Sequence, residues 1–153
     1  MIINEKGLVR ALKLAYKQGG YTILNNEEEI TVYTEDWYLR SDWDKFPRKV
    51  LATIVEHMGT LPTSADALRI HAGDEPQVVM PEIVGQDVSA WVSGDADQSV
   101  TIVPIMVQGL QLYQEEGGGN CYGVRPTSLG IVERDVAVRK DADVTEGKRL
   151  SWA

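Results

Sequence analysis

The sequence predicts an α+β protein, with N-terminal helices and a short hairpin followed by a mainly antiparallel sheet. Up to about residue 60 apolar residues recur at three- and four-residue spacing, the helical period. After Ala72 they come instead in short β-branched patches cut by Gly, Pro, Asp and Ser. The longest apolar-rich stretch, Ser99 to Glu115, belongs to this second half. At 153 residues with 43% apolar content, the chain fits one compact domain with a real core. Residues 1–153 are therefore read as a single domain, with a subdomain junction near Ala72 to Pro76 as the alternative.

Asn4 is placed to cap a first helix running to Lys17, with Leu8, Ala11, Leu12, Ala15 and Tyr16 as its buried stripe. Gly19-Gly20 stops it. Tyr21 to Leu24 and Ile30 to Tyr33 read as a hairpin around NNEEE, its second strand extending through Trp37 to Leu39. Asp42 or Asp44 is expected to cap a second helix with Pro47 in its first turn. Phe46, Val50, Ile54 and Met58 form its stripe, widened by Leu51 and Val55, and Gly59 ends it. Thr63 and Asp66 stand at capping-box spacing, which predicts a helical turn over Ser64 to Ile70.

The remaining patches, including Ile83 to Val84, Val88 to Val92 and Val136 to Val138, are expected to be strands. Within Ser99 to Glu115, Pro104 argues for an edge or bulged strand, and Gly109 for a bend in one long strand or between two strands in line. Asp141 to Ala153 reads as a frayed tail, with Trp152 tucked against the body or another subunit.

The formal net charge is −8, from 23 acidic against 15 basic side chains. That sign repels phosphate backbones, so no nucleic-acid partner is expected, while a protein with a basic face would be attracted. The single cysteine, Cys121, rules out an intrachain disulfide framework and suits a reducing, cytoplasmic setting. MIINEKGLVRALKLAYK lacks the uninterrupted apolar core and cleavage site of a signal peptide. No run approaches the roughly 18 apolar residues of a membrane span, so no membrane partner is expected either.

Candidates for chemistry are few. Cys121, after EEGGGN, is the only thiol and needs a base, for which only His57 and His71 are available. Neither is tied to Cys121 by a signature, and a small buried or half-buried Cys beside a hairpin loop is the simpler reading. These residues are not spaced as a compact zinc site. Asp95 and Asp97 lack the later Gly and Glu of a calcium loop. No P-loop, dinucleotide fingerprint or nucleophile elbow is present. No metal and no cofactor are expected.

The densest aromatic and acidic segment is Tyr33 to Phe46. Trp37, Tyr38, Arg40 and Trp43, rimmed by Asp36, Asp42 and Asp44, have the composition of a contact hot spot and equally of a small core with amphipathic rims. The expected function is an interaction or regulatory protein acting through protein contacts, homo-oligomers included. The alternative is a small hydrolase using carboxylates with His71 or Cys121, and His57 as a further imidazole. A concave pocket bringing His71 or Cys121 within reach of a carboxylate would favour the enzyme.

Overall fold

The computed structural model describes residues 2–61, 63, 67–92, 98–139, 141–144 and 149–152. The chain divides into two compact units, one formed by Leu8–Val88 and the other by Met1–Gly7 with Ser89–Ala153. Each contains a five-stranded antiparallel sheet.

Helix α1 spans Glu5–Gln18, and the Oδ1 of Asn4 accepts the Gly7 N–H at 2.8 Å, the cap the sequence predicts. The helix is followed by Gly20 at φ +84°, where a Cβ would stand 2.3 Å from the carbonyl oxygen of Ile70, so only glycine fits. Strands β1 (Tyr21–Asn25) and β2 (Glu29–Tyr33) form the expected hairpin, with Asn26 Oδ1 accepting the N–H groups of Glu28 and Glu29. The second strand does not run on through Trp37. A four-residue turn intervenes, held by the Thr34 N–H to Trp37 carbonyl bond at 2.8 Å and by Thr34 Oγ1, which accepts from Asp36 and Trp37. The chain then returns as a separate strand, β3 (Tyr38–Asp42).

Helix α2 covers Arg48–Met58. Neither Asp42 nor Asp44 caps it: Pro47 takes the cap position, because a separate single turn over Trp43–Lys45, with Asp42 at its own cap position, intervenes. Phe46, Val50 and Ile54 are buried as expected, Leu51 and Met58 are half-buried, Val55 is exposed at the rim of the stripe, and Gly59 ends the helix at φ +82°. Ala67–Ile70, anticipated as helical, is strand β4, paired along β1. Local capping spacing lost to the ladder that an exposed β1 edge offers. Ser64 to Asp66 lie outside the described residues. The Ala72–Pro76 stretch connects β4 to β5 (Gln77–Val79), its neighbour in the sheet.

In this unit the sheet order is β3-β2-β1-β4-β5. Strand alternation sends Tyr21, Ile23, Ile30, Val32 and Ile70 to one face, where they are 0–2% exposed. The Tyr21 hydroxyl lies 2.8 Å from His57 of α2, and His57 stacks on Tyr16 of α1 with ring centroids 3.9 Å apart. Helices α1 and α2 therefore cover this face. The opposite face carries Tyr33, Ala67 and Val79, clustered with Val84 of α3 (Pro81–Val92).

The α+β class thus stands, with an N-terminal helix and two antiparallel sheets, but the helices do not all precede the sheets. The Ile83–Val84 and Val88–Val92 patches are helix α3, and Val136–Val138 lies in α5 (Arg134–Arg139), after the short helix α4 (Pro126–Leu129). Short apolar patches cannot be assigned by period, and here helix length and packing decided.

The second sheet has the order β10-β9-β6-β7-β8, from β6 (Gln98–Val107), β7 (Leu110–Glu115), β8 (Cys121–Val124), β9 (Ala142–Val144) and β10 (Leu150–Ser151). Ser99 to Glu115 is consequently a hairpin, not one bent strand. Gln108 at φ +52° and Gly109 at φ +78° make its two-residue turn, the mirror-image type that matches strand twist. The bulge expected at Pro104 is present: Val103 to Ile105 face Leu112 alone, and the Gln111 amide donates to the Val103 carbonyl at 2.6 Å.

Within the anticipated C-terminal tail, Ala142–Val144 and Leu150–Ser151 are strands rather than frayed ends. Ala142 and Val144 are buried with Val100 and Tyr113, and Trp152 meets the Tyr113 ring edge-on at 5.8 Å. Backbone bonds from Asn4 to Ile131 and from Glu133 to Ile2, with a bridge between Ile3 and Val132, tie the N-terminal residues into this unit.

Candidate functional site

Among the described residues, strand β3 is the outermost of its sheet and pairs with β2 on one side. Bonds from the Thr34 N–H to Trp37 and from the Trp43 N–H to Glu28 fix the ladder phase. Counting along the strand, Leu39 and Ser41 address β2, while the N–H groups of Arg40 and Asp42 point outward. Their side chains share a sheet face with Tyr38, Thr31 and Glu29. Arg40 Nε lies 3.8 Å from Glu29, and Lys45 Nζ 2.6 Å from Asp42. These exposed pairs contribute little stability, but they keep the edge charged.

Trp37, Tyr38 and Trp43 are half-buried, whereas Arg40 and Asp44 are exposed. The Trp43 indole N–H donates to Asn25 Oδ1 at 2.5 Å and to the Asn26 carbonyl at 3.1 Å. Trp43 thereby clamps the β1–β2 turn. Burial raises the pKa of the Tyr38 phenol, which stays protonated at neutral pH.

On the same sheet face, under α3, Tyr33 donates to Asp87 Oδ2 at 2.9 Å, and Arg69 Nη2 stands 4.0 Å from the same oxygen. Arg69 Nε donates to Thr22 Oγ1 at 3.2 Å. Burial, then the bond to Asp87, raises the Tyr33 pKa.

Arg69 also lines an open cavity of about 250 Å³ at the end of the sheet, together with Gly19, His71, Asp74, Glu75 and Gln77. The β4–β5 connection builds it: the Asp74 N–H bonds the His71 carbonyl at 3.1 Å across a turn with Gly73 at φ +85°, and His71 Nδ1 lies 3.3 Å from Asp74 Oδ2. A histidine and a carboxylate are thus within reach of each other in a concavity. The lining contains neither His57 nor Cys121.

His57 is engaged with Tyr16 and Tyr21 instead. Burial lowers its pKa, ahead of a smaller opposing effect of Glu56 and a lowering effect of Lys13. Its Nδ1 shares a hydrogen bond with the Tyr21 hydroxyl, whose own pKa burial pushes up. The folded pKa therefore lies below the unfolded value of about 6.5. Stability from this residue is present above that value and lost as pH falls through the folded pKa. The wild type should lose melting temperature as pH falls from about 6.5 toward the lower folded pKa. In His57→Asn the drop should be smaller; equal drops in both proteins would refute the assignment.

Cys121 is exposed on the edge strand β8, not buried or half-buried as the sequence suggested. Strand alternation puts it on the sheet face away from Tyr122, whose hydroxyl donates to Glu115 Oε1 at 2.8 Å. Asp95 and Asp97 lie outside the described residues. Among the described residues no group of three or more His, Cys, Asp or Glu is placed to hold a metal ion, and no helix is long and apolar enough to cross a membrane.

The sequence reading singled out His71 but missed Arg69 and Gln77. They face each other across β4 and β5, a relation invisible while Ser64 to Ile70 was read as helix. No family model, no curated protein and no solved structure matches this chain.

Proposed function

We propose that the protein acts through protein contacts, offering the outer edge of β3 to an extended segment of a partner with a basic face, in a reducing, cytoplasmic setting. The observation that carries this reading is the phase of the β3 ladder, which turns the N–H groups of Arg40 and Asp42 outward beside half-buried Trp37 and Tyr38. Main-chain bonds to an added strand would supply affinity, and the side chains would supply selectivity. Asp42, Asp44 and the net charge of −8 favour a basic partner mainly by speeding encounter. A second copy is one partner that such an edge can take.

The test is capture of partners from native lysate with wild type, Arg40→Ala and Arg40→Pro, with thermal melts in parallel. Proline at 40 removes an outward N–H without breaking a bond to β2, so the fold should survive. A partner kept by Arg40→Ala and lost by Arg40→Pro supports strand addition. No reproducible partner for wild type, or equal capture by Arg40→Pro, rejects it. Trp37→Ala should melt near wild type and weaken capture, whereas Trp43→Ala should melt early because it unclamps Asn25 and Asn26.

The His71–Asp74 pair in the cavity favours a second reading, a small hydrolase in which His71 activates water with Asp74 orienting the ring. Failure of wild type to hydrolyse any of a panel of activated esters and peptides would dismiss it, as would unchanged turnover in His71→Asn.

A further inference from the structure

The cavity beside His71 has a composition that neither the strand-edge reading nor the hydrolytic one uses fully. Arg69, His71, Asp74, Glu75 and Gln77 line it with charged and polar side chains, and its volume of about 250 Å³ falls below the range of drug-sized or nucleotide ligands. A small ligand carrying polar groups suits it. Among the described residues the side chains of Glu75 and Gln77 have no hydrogen-bond or ion-pair partner. Arg69 spends its Nε on Thr22 and holds Asp87 only at 4.0 Å, leaving further donors of its planar fork for a ligand. Two carboxylates, Asp74 and Glu75, stand on the turn, and Gly19 brings in the C-terminal end of α1, where partial negative charge gathers. One cavity thus holds a carboxylate-recognising fork and amide together with a cation-attracting turn.

We propose that this cavity binds a small zwitterion of the free amino-acid class, with its carboxylate on Arg69 and Gln77 and its ammonium on Glu75, the His71–Asp74 pair closing the wall between them. A simple anion would meet Asp74 and Glu75 as well as Arg69, and a simple cation would meet Arg69; only a ligand carrying both charges satisfies both sets. Binding needs no turnover, so binding without hydrolysis would leave this inference standing while the hydrolytic reading fell.

Heteronuclear NMR titration of the full chain with alanine, propionate and propylamine tests it. Alanine should shift the amides of Arg69, His71, Glu75 and Gln77 saturably, with each single-charge probe about tenfold weaker or more, as expected for losing a charge-assisted contact. Glu75→Gln lies on an exposed turn and should keep the fold; it should bring alanine down to the level of propionate. Arg69→Gln also removes the bond to Thr22, so its melt is measured alongside, and Gln77→Leu gives a second variant on the carboxylate side that should weaken alanine and propionate together. Absence of saturation by alanine, equal affinity for alanine and propionate in wild type, or shifts confined to residues outside the cavity would each overturn the proposal.

Discussion

Gly7→Ala is expected to lower stability by about 3 kcal/mol, the upper end of what overpacking costs, or roughly 10 °C in melting temperature for a chain of this size. A Cβ at Gly7 would stand 1.7 Å from the carbonyl oxygen of Gly130, and a backbone atom cannot swing aside as a flexible side chain does. Relief requires the first turn of α1 to move off that carbonyl, which puts at risk the Asn4–Ile131 bond at 2.7 Å and the Glu133–Ile2 bond at 2.6 Å. Gly85→Ala makes a control of opposite sign. Gly85 lies inside α3, is exposed, and has nothing within 4 Å of the added Cβ, so alanine should stabilise by about 0.5–1 kcal/mol through helix propensity and reduced unfolded-state freedom. Parallel melts with effects of the same sign would refute the packing assigned to Gly7.

Tyr113→Ala should cost about 3–5 kcal/mol, as for other large aromatic truncations in a core. Tyr113 is 0% exposed, clusters with Val100, Ala142 and Val144, and packs edge-on against Trp152. Burial pushes its pKa up to about 12, so the phenol stays protonated and donates to the Ala137 carbonyl at 3.3 Å. Tyr113→Phe keeps the ring and loses this one long bond, so it should cost only about 1 kcal/mol. Chemical denaturation that placed the two variants within error of each other would show that the ring, despite its burial, does not hold this sheet together.

Where local chemistry acts alone, the sequence was legible. Asn4, the hairpin turn at Asn26 and Gly59 each belong to a motif closed within a few residues and are found as read, and the stripes of α1 and α2 are buried at Leu8, Ala11, Leu12, Phe46, Val50 and Ile54 though not at Val55. Legibility failed where the deciding partner is distant. Ala67–Ile70 became a strand because β1 lay open to it, and Ala142–Val144 because β6 did. The Gln108-Gly109 turn was missed for another reason: Gln at φ +52° lacks the Asn or Asp signature that usually announces such a turn. For the candidate sites, Trp37, Tyr38 and Arg40 were visible as composition, but which backbone groups face outward depends on ladder phase. The cavity depends on Gly19, at the end of α1, meeting the β4–β5 segment that carries Arg69, His71, Asp74, Glu75 and Gln77.

The ties from Ile2, Ile3 and Asn4 to residues 131–133 also bear on the order in which a growing chain can complete its parts. Asn4 and Glu133, joined side chain to side chain, are separated by 129 positions. Leu8–Val88 closes its sheet from strands that are all synthesised by residue 79. The unit wrapped around it in sequence must instead hold its first residues in reserve until α4 and the Ile131–Glu133 segment emerge from the ribosome. Such non-local closure is intrinsically slow, and N-terminal parts are made first during translation. In a stalled-ribosome series, protease protection of Leu8–Val88 should therefore appear well before protection of residues 2–7.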